Sequence, residues 1–147
     1  ASSALLNFGG QILALGAPPG QEAWGIEVSG APIMLKLKDR SISTSSQEVQ
    51  AGHIMDPKTG KPIGKKSAVA VIARDGAHAD AWSTALFVLG VAKAPKGFTA
   101  CAFETLGGKV LFRTRACDSY FTGDKPPAKT TDKTPKETTP WTTAPLQ

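Results

Sequence analysis

This sequence predicts an α+β domain of mixed, mainly antiparallel strands with one main helix, and three observations lead there. Short runs of alternating apolar residues recur between glycine, aspartate and proline punctuation through the first 121 residues. One stretch, Ala77 to Ala92, repeats its apolar residues at three- and four-residue spacing. After Phe121 the composition shifts to Thr, Pro and Lys, with Trp141 and Leu146 the only large apolar side chains. Residues 1–121 are therefore expected to form the folded domain, and 122–147 a disordered tail that buries too little to offset its ordering entropy.

The elements follow in order. Leu5, Phe8, Ile12, Leu13 and Leu15 surround Gly9-Gly10, which predicts two short strands joined by a tight glycine turn. Trp24 to Val28 alternates, and Ile33, Leu35 and Leu37 alternate with Met34, Lys36 and Lys38, predicting a strand from Met34 to Ile42. Ala68 to Ala73 reads Ala-Val-Ala-Val-Ile-Ala, a candidate buried strand. In the helix, Ala81, Thr84, Ala85, Val88 and Val91 recur, and Asp80 is expected in the first turn, where the helix dipole favours a carboxylate. Lys96 to Thr105 fits a short helix or a strand, and Lys109 to Arg115 alternates as a further strand. The chain opens inside an apolar run, Ala4 to Phe8, with no basic or long apolar leader ahead of it, so further sequence upstream is expected.

Composition narrows the function. The 147 residues are 41% hydrophobic with a mean hydropathy of −0.12, enough for one core. Ala79 to Val91, the longest mostly apolar stretch, contains Asp80, Ser83, Thr84 and Gly90, too short and polar to span a bilayer. Two cysteines give neither a disulfide framework nor a C-x-x-C metal spacing; whether Cys101 and Cys117 pair is open. Seventeen basic against twelve acidic residues leave a charge of +5, but only Lys65-Lys66 are adjacent. No nucleic-acid partner is expected from so dispersed a charge, whereas a phosphate-bearing small molecule suits it.

Three clusters could carry chemistry. Ser43-Thr44-Ser45-Ser46 is a run of hydroxyls, or simply a polar strand end. His53-Ile54-Met55-Asp56-Pro57-Lys58-Thr59-Gly60-Lys61-Pro62 is good turn chemistry, with Asp accepting backbone N–H groups, Pro fixing φ and Gly permitting positive φ. It also sets His53, a residue type suited to proton transfer near neutrality, at the edge of a rigid loop. In Ala79-Asp80-Ala81-Trp82-Ser83-Thr84-Ala85, Asp80 and Thr84 are four apart and share a helix face. A carboxylate with a hydroxyl suits Mg²⁺ or Ca²⁺ rather than zinc; a capping arrangement explains it equally.

Taken together and in this order, Leu6 to Ile12 with Gly16, Trp24-Gly25-Ile26, Ser43-Thr44-Ser45, His53 to Pro62 and Ala79 to Gly90 resemble the C-terminal half of the FAD:protein FMN transferase (ApbE-like) family, a T-fold-type domain. The resemblance spans about residues 4 to 121. It implies Mg²⁺-dependent transfer of FMN from FAD onto a Thr or Ser of an acceptor flavoprotein, with release of AMP. On that resemblance Asp80 and Thr84 are metal ligands and His53 is the base for the acceptor hydroxyl. Ile54 packs against the flavin, Asp56, Thr59 and Gly60 shape the loop, and Ser43, Thr44 and Ser45 border the cofactor site. It also implies a location in the bacterial periplasm or on the outer face of the inner membrane. Two departures stand out: Ser46 occupies a position where the family has glycine, and the family's N-terminal half is absent, so that half or a second polypeptide would complete the FAD site. FAD hydrolysis to FMN and AMP, and a non-catalytic flavin-binding or scaffold fragment, are the alternatives. Thr142-Thr143-Ala144 lacks the fuller context of a flavin acceptor.

Overall fold

The computed structural model describes residues 3–28, 33–48 and 50–121; the expectation of a disordered 122–147 tail lies outside them. Strands β1 (Ala4–Asn7) and β2 (Gln11–Leu15) form the predicted hairpin, with Gly9 at φ 79° and its N–H donating to Asn7 Oδ1 at 3.0 Å. Next come β3 (Trp24–Glu27), β4 (Met34–Leu37), β5 (Arg40–Ser45), β6 (Ala68–Ala73), helix α1 (Gly76–Leu89), β7 (Cys101–Leu106) and β8 (Lys109–Arg113). A six-stranded sheet runs in the order β1-β2-β5-β6-β7-β8, every neighbour antiparallel, while β3 and β4 form a separate two-stranded sheet.

The single strand expected from Met34 to Ile42 is in fact two strands in different sheets. The chain turns at Lys38-Asp39, where Asp39 adopts a left-handed φ of 50° and its carboxylate accepts the Gly16 N–H at 2.8 Å. Aspartate tolerates this conformation better than most side chains, and three consecutive charged residues, Lys38 to Arg40, mark the corner.

Alternation along the central strands explains why both sheet faces are covered. Ala70, Ile72, Cys101, Phe103 and Ile42 join a core beneath β3 and β4, with Ile26, Leu35 and Leu37. Val69, Val71 and Ala102, pointing the other way, join Leu86, Phe87 and Val91 from α1 and the turn after it. An unbroken apolar run such as β6 is what burial on two faces requires.

Helix α1 begins one residue earlier than its periodicity suggests. Asp75 is the N-cap, its Oδ1 accepting the His78 N–H at 2.9 Å, and Gly90 at φ 91° ends the helix before Val91. Asp80 is therefore the fifth helical residue, and the expectation that it sits in the first turn is corrected: the cap carboxylate is Asp75. Lys96 to Thr105 resolves into a loop followed by β7. Cys101, at the start of β7, forms a disulfide with Cys117, their Cα atoms 4.4 Å apart, which ties the turn after β8 back to the sheet. No helix among the described residues is long and apolar enough to cross a membrane.

Candidate active site

Because Ile42 points into the β3–β4 core, the odd-numbered residues of β5 face α1, and they are all serines: Ser41, Ser43 and Ser45, each buried. Cross-strand pairing confirms the face, since Ser43 and Ser45 lie opposite Val71 and Val69. The helix answers with its own oxygens. Ser43 Oγ donates to Asp80 Oδ1 at 3.1 Å, Ser45 Oγ lies 2.8 Å from Ser83 Oγ and 3.0 Å from Thr84 Oγ1, and Ser83 donates to the Asp80 carbonyl at 2.9 Å. Ser83 is fully buried at the centre of this ladder, whereas Asp80 and Thr84 lie at its exposed margin.

Asp80 and Thr84, at this margin, are the two residues expected as metal ligands. The donors are oxygen only, a chemistry that suits hard cations better than soft ones. One carboxylate and one hydroxyl, one helical turn apart, fit Mg²⁺ in kind. They supply two of the roughly six oxygens such an ion takes.

The histidine segment is a closed turn. Asp56 N–H donates to Lys61 O and Gly60 N–H to Asp56 O, both at 2.8 Å, while Asp56 Oδ1 accepts the Lys58 N–H at 2.8 Å. Thr59 Oγ1 accepts the Lys61 N–H at 3.4 Å, and Gly60 has φ 64°, so Asp56, Thr59 and Gly60 all build the turn itself. Ile54, expected against a flavin, is buried at 6% exposure among Val69, Val71, Leu86 and Phe87, and its side chain anchors the loop to the core beneath α1. The loop's exit is tied as well: Lys65 Nζ donates to Phe87 O at 3.2 Å and pairs with Glu104 at 3.0 Å.

His53 itself is exposed, and its Nδ1 bonds the carbonyl of Gln50. A carbonyl can only accept, so Nδ1 is the donor in this bond. Thr44 differs from its serine neighbours: strand alternation turns it to the sheet face opposite α1, and its contact is a backbone bond from its N–H to Gly10 O at 2.7 Å. Of the eight candidate binding residues and two metal candidates, the structure joins Ser43, Ser45, Asp80 and Thr84 directly. Ser45 then leads, two residues on, to Gln47, whose side chain bonds Ile54 O beside His53. Ser83 lay inside a quoted motif but carried no expectation; its spacing of three from Asp80 was the available signal. Gln47 had none.

A cleft of about 710 Å³ lies elsewhere, lined by Arg40, Arg74, His78, Trp82, Lys96 and Tyr120 among others, and by none of the expected site residues. At 100° per residue, His78 and Trp82 lie on the side of α1 opposite Asp80.

Similarity to known proteins decides the family. The model of the ApbE family matches residues 1–102. This chain belongs to the ApbE family. FAD:protein FMN transferase of Chlamydia trachomatis serovar D is 37% identical to it, over 55% of this chain and 29% of that protein. The Klebsiella pneumoniae strain 342 protein of the same name is 29% identical over 61% of this chain and 30% of its own length. Among solved structures, the apo flavinyl transferase ApbE of Pseudomonas stutzeri superposes with a TM-score of 0.67 at 31% identity, covering 82% of this chain and 42% of that one. The flavin transferase ApbE of Vibrio cholerae, at 24% identity and a TM-score of 0.64, shares the fold. The ApbE-family chain thus spans less than half the length of these relatives.

Proposed function

We propose that this chain provides the metal and histidine portion of a FAD:protein FMN transferase site. The observation that carries this reading is the Asp80–Thr84 oxygen pair, held in register by Ser43, Ser45 and Ser83 in a chain of the ApbE family. In the reaction, a Thr or Ser hydroxyl of an acceptor flavoprotein attacks the FMN phosphorus of FAD. The bond to the AMP phosphate breaks, AMP leaves, and His53 Nε2 takes the hydroxyl proton. Bound Mg²⁺ would neutralise pyrophosphate charge. Asp80 and Thr84 would hold it, and the buried serines keep those two oxygens from swinging away. The +5 charge of the chain favours an anionic dinucleotide.

Coverage of only 42% of the Pseudomonas stutzeri structure supports a site completed by further sequence or by a second polypeptide. The exposure of His53 favours one alternative, FAD hydrolysis, because water can reach Nε2 without an acceptor protein. The Cys101–Cys117 disulfide supports an oxidising compartment, in keeping with the periplasm or the outer face of a bacterial inner membrane. The test is incubation of the chain with FAD, Mg²⁺ and a flavoprotein acceptor. A fluorescent acceptor band on a denaturing gel marks transfer, and free FMN without such a band marks hydrolysis. Neither product, with no FAD binding, leaves the scaffold reading.

A further inference from the structure

We propose that Gln47 is the positioning residue of the histidine loop, acting through three hydrogen bonds of its carboxamide; this rests on the role given to His53 above. The half-buried Gln47 side chain donates from Nε2 to Ile54 O at 2.9 Å and to Ile63 O at 3.0 Å, and its Oε1 accepts the Gly52 N–H at 2.7 Å. The amide orientation is fixed by its partners, since two carbonyls can only accept and an N–H can only donate. One side chain thereby grips the loop where it enters, at Gly52, and where it leaves, at Ile63, with His53 between them. Gly52 has φ 80°, a left-handed conformation that aims the chain into His53, and the bond to its N–H secures that turn.

The consequence is chemical as well as structural. With the loop seated, the Gln50 carbonyl meets His53 Nδ1 and selects the tautomer whose Nε2 is free to accept a proton. Gln47 also follows Ser45 by two residues, so one strand end places both the Thr84 partner and the loop clamp. Neither glutamate nor methionine replaces it: glutamate keeps the acceptor but turns a carboxylate on two carbonyls, and methionine keeps the length but loses every bond.

The experiment is nitrogen-15 NMR of the His53 imidazole and of backbone amide exchange in the full chain, for wild type, Gln47→Met and Gln47→Glu. Wild type is expected to show the Nδ1–H tautomer in its neutral ring. In Gln47→Met, His53 is expected to revert to the tautomer mixture of a free imidazole, with Gly52 N–H exchange about tenfold faster, the effect of losing one such bond. If Gln47→Met does not fold, Gln47→Glu decides: the His53 loop should be unclamped at neutral pH and partly restored as the new carboxyl protonates below about pH 4.3. A wild-type tautomer and wild-type Gly52 exchange in Gln47→Met, or a pH-independent loop in Gln47→Glu, would overturn the proposal. FAD affinity measured on the same samples is separate: a wild-type chain with the clamped tautomer but no affinity for FAD defeats catalysis by this chain alone and leaves the clamp standing.

Discussion

The serine ladder under α1 and the histidine loop beside it are built on opposite plans. The ladder lies between a central strand and a helix, its hydroxyls are buried, and Ser43, Ser45 and Ser83 each touch more than one partner. The loop is exposed, closes on its own turn bonds, and reaches the core through Ile54 and the carboxamide of Gln47. Redundant bonding holds the Asp80 and Thr84 oxygens in place, as the proposed cation site would need. A loop held at few points leaves His53 exposed, as the proposed proton transfer would need.

Substitutions can break that contrast, and the largest effect is expected at the exposed margin of the ladder. Asp80→Ala should lower Mg²⁺-dependent flavin transfer at least about a hundredfold, the scale for removing a group that stabilises developing charge, with only a modest loss of stability from the buried Ser43 hydroxyl that loses its acceptor. Transfer assays beside calorimetry would show this split. Ile54→Ala should do the reverse, costing roughly 2–4 kcal/mol of stability by denaturant unfolding because a buried aliphatic chain is removed. Ser83→Ala sharpens the comparison from within the ladder. It leaves buried hydroxyls of Ser43 and Ser45 short of a partner, and a loss of about 1–3 kcal/mol is expected in the same unfolding experiment.

The smallest effect lies at the far end of α1. The hydrogen bond to the His78 side chain, then the one to its backbone, holds Asp75 below the usual carboxylate range. A carboxylate lowered in the folded state adds stability above its ordinary value and loses it as pH falls toward the lowered one. Asp75→Asn should therefore flatten the acid limb of a melting-temperature profile slightly, without altering the site.

Much of the scaffold was readable before the coordinates. The β1–β2 hairpin, β6, β8 and α1 declare themselves because each buries a face at its own period, and Asp80 with Thr84 falls on one helix face for the same reason. The change of sheet between Met34 and Ile42 is marked only by the charged run Lys38 to Arg40 and by Ile42 falling out of phase with Leu35 and Leu37, signals that a reading for continuous alternation passes over. Thr44 looked equivalent to Ser43 and Ser45 within a hydroxyl run, yet strand geometry sends it to the other face. Ile54 and Gln47 were illegible for another reason. An aliphatic residue in a turn motif carries no mark of the core it reaches, and an amide that bonds backbone groups five, seven and sixteen residues on leaves no local pattern.

The joint use of ladder and loop is tested most directly by titrating FAD into the chain with and without Mg²⁺, for wild type and Asp80→Ala. Mg²⁺ should tighten FAD binding to wild type by at least about tenfold, and Asp80→Ala should erase that gain while keeping the metal-free affinity. An equal gain from Mg²⁺ in both proteins would contradict the assignment of Asp80 to the cation.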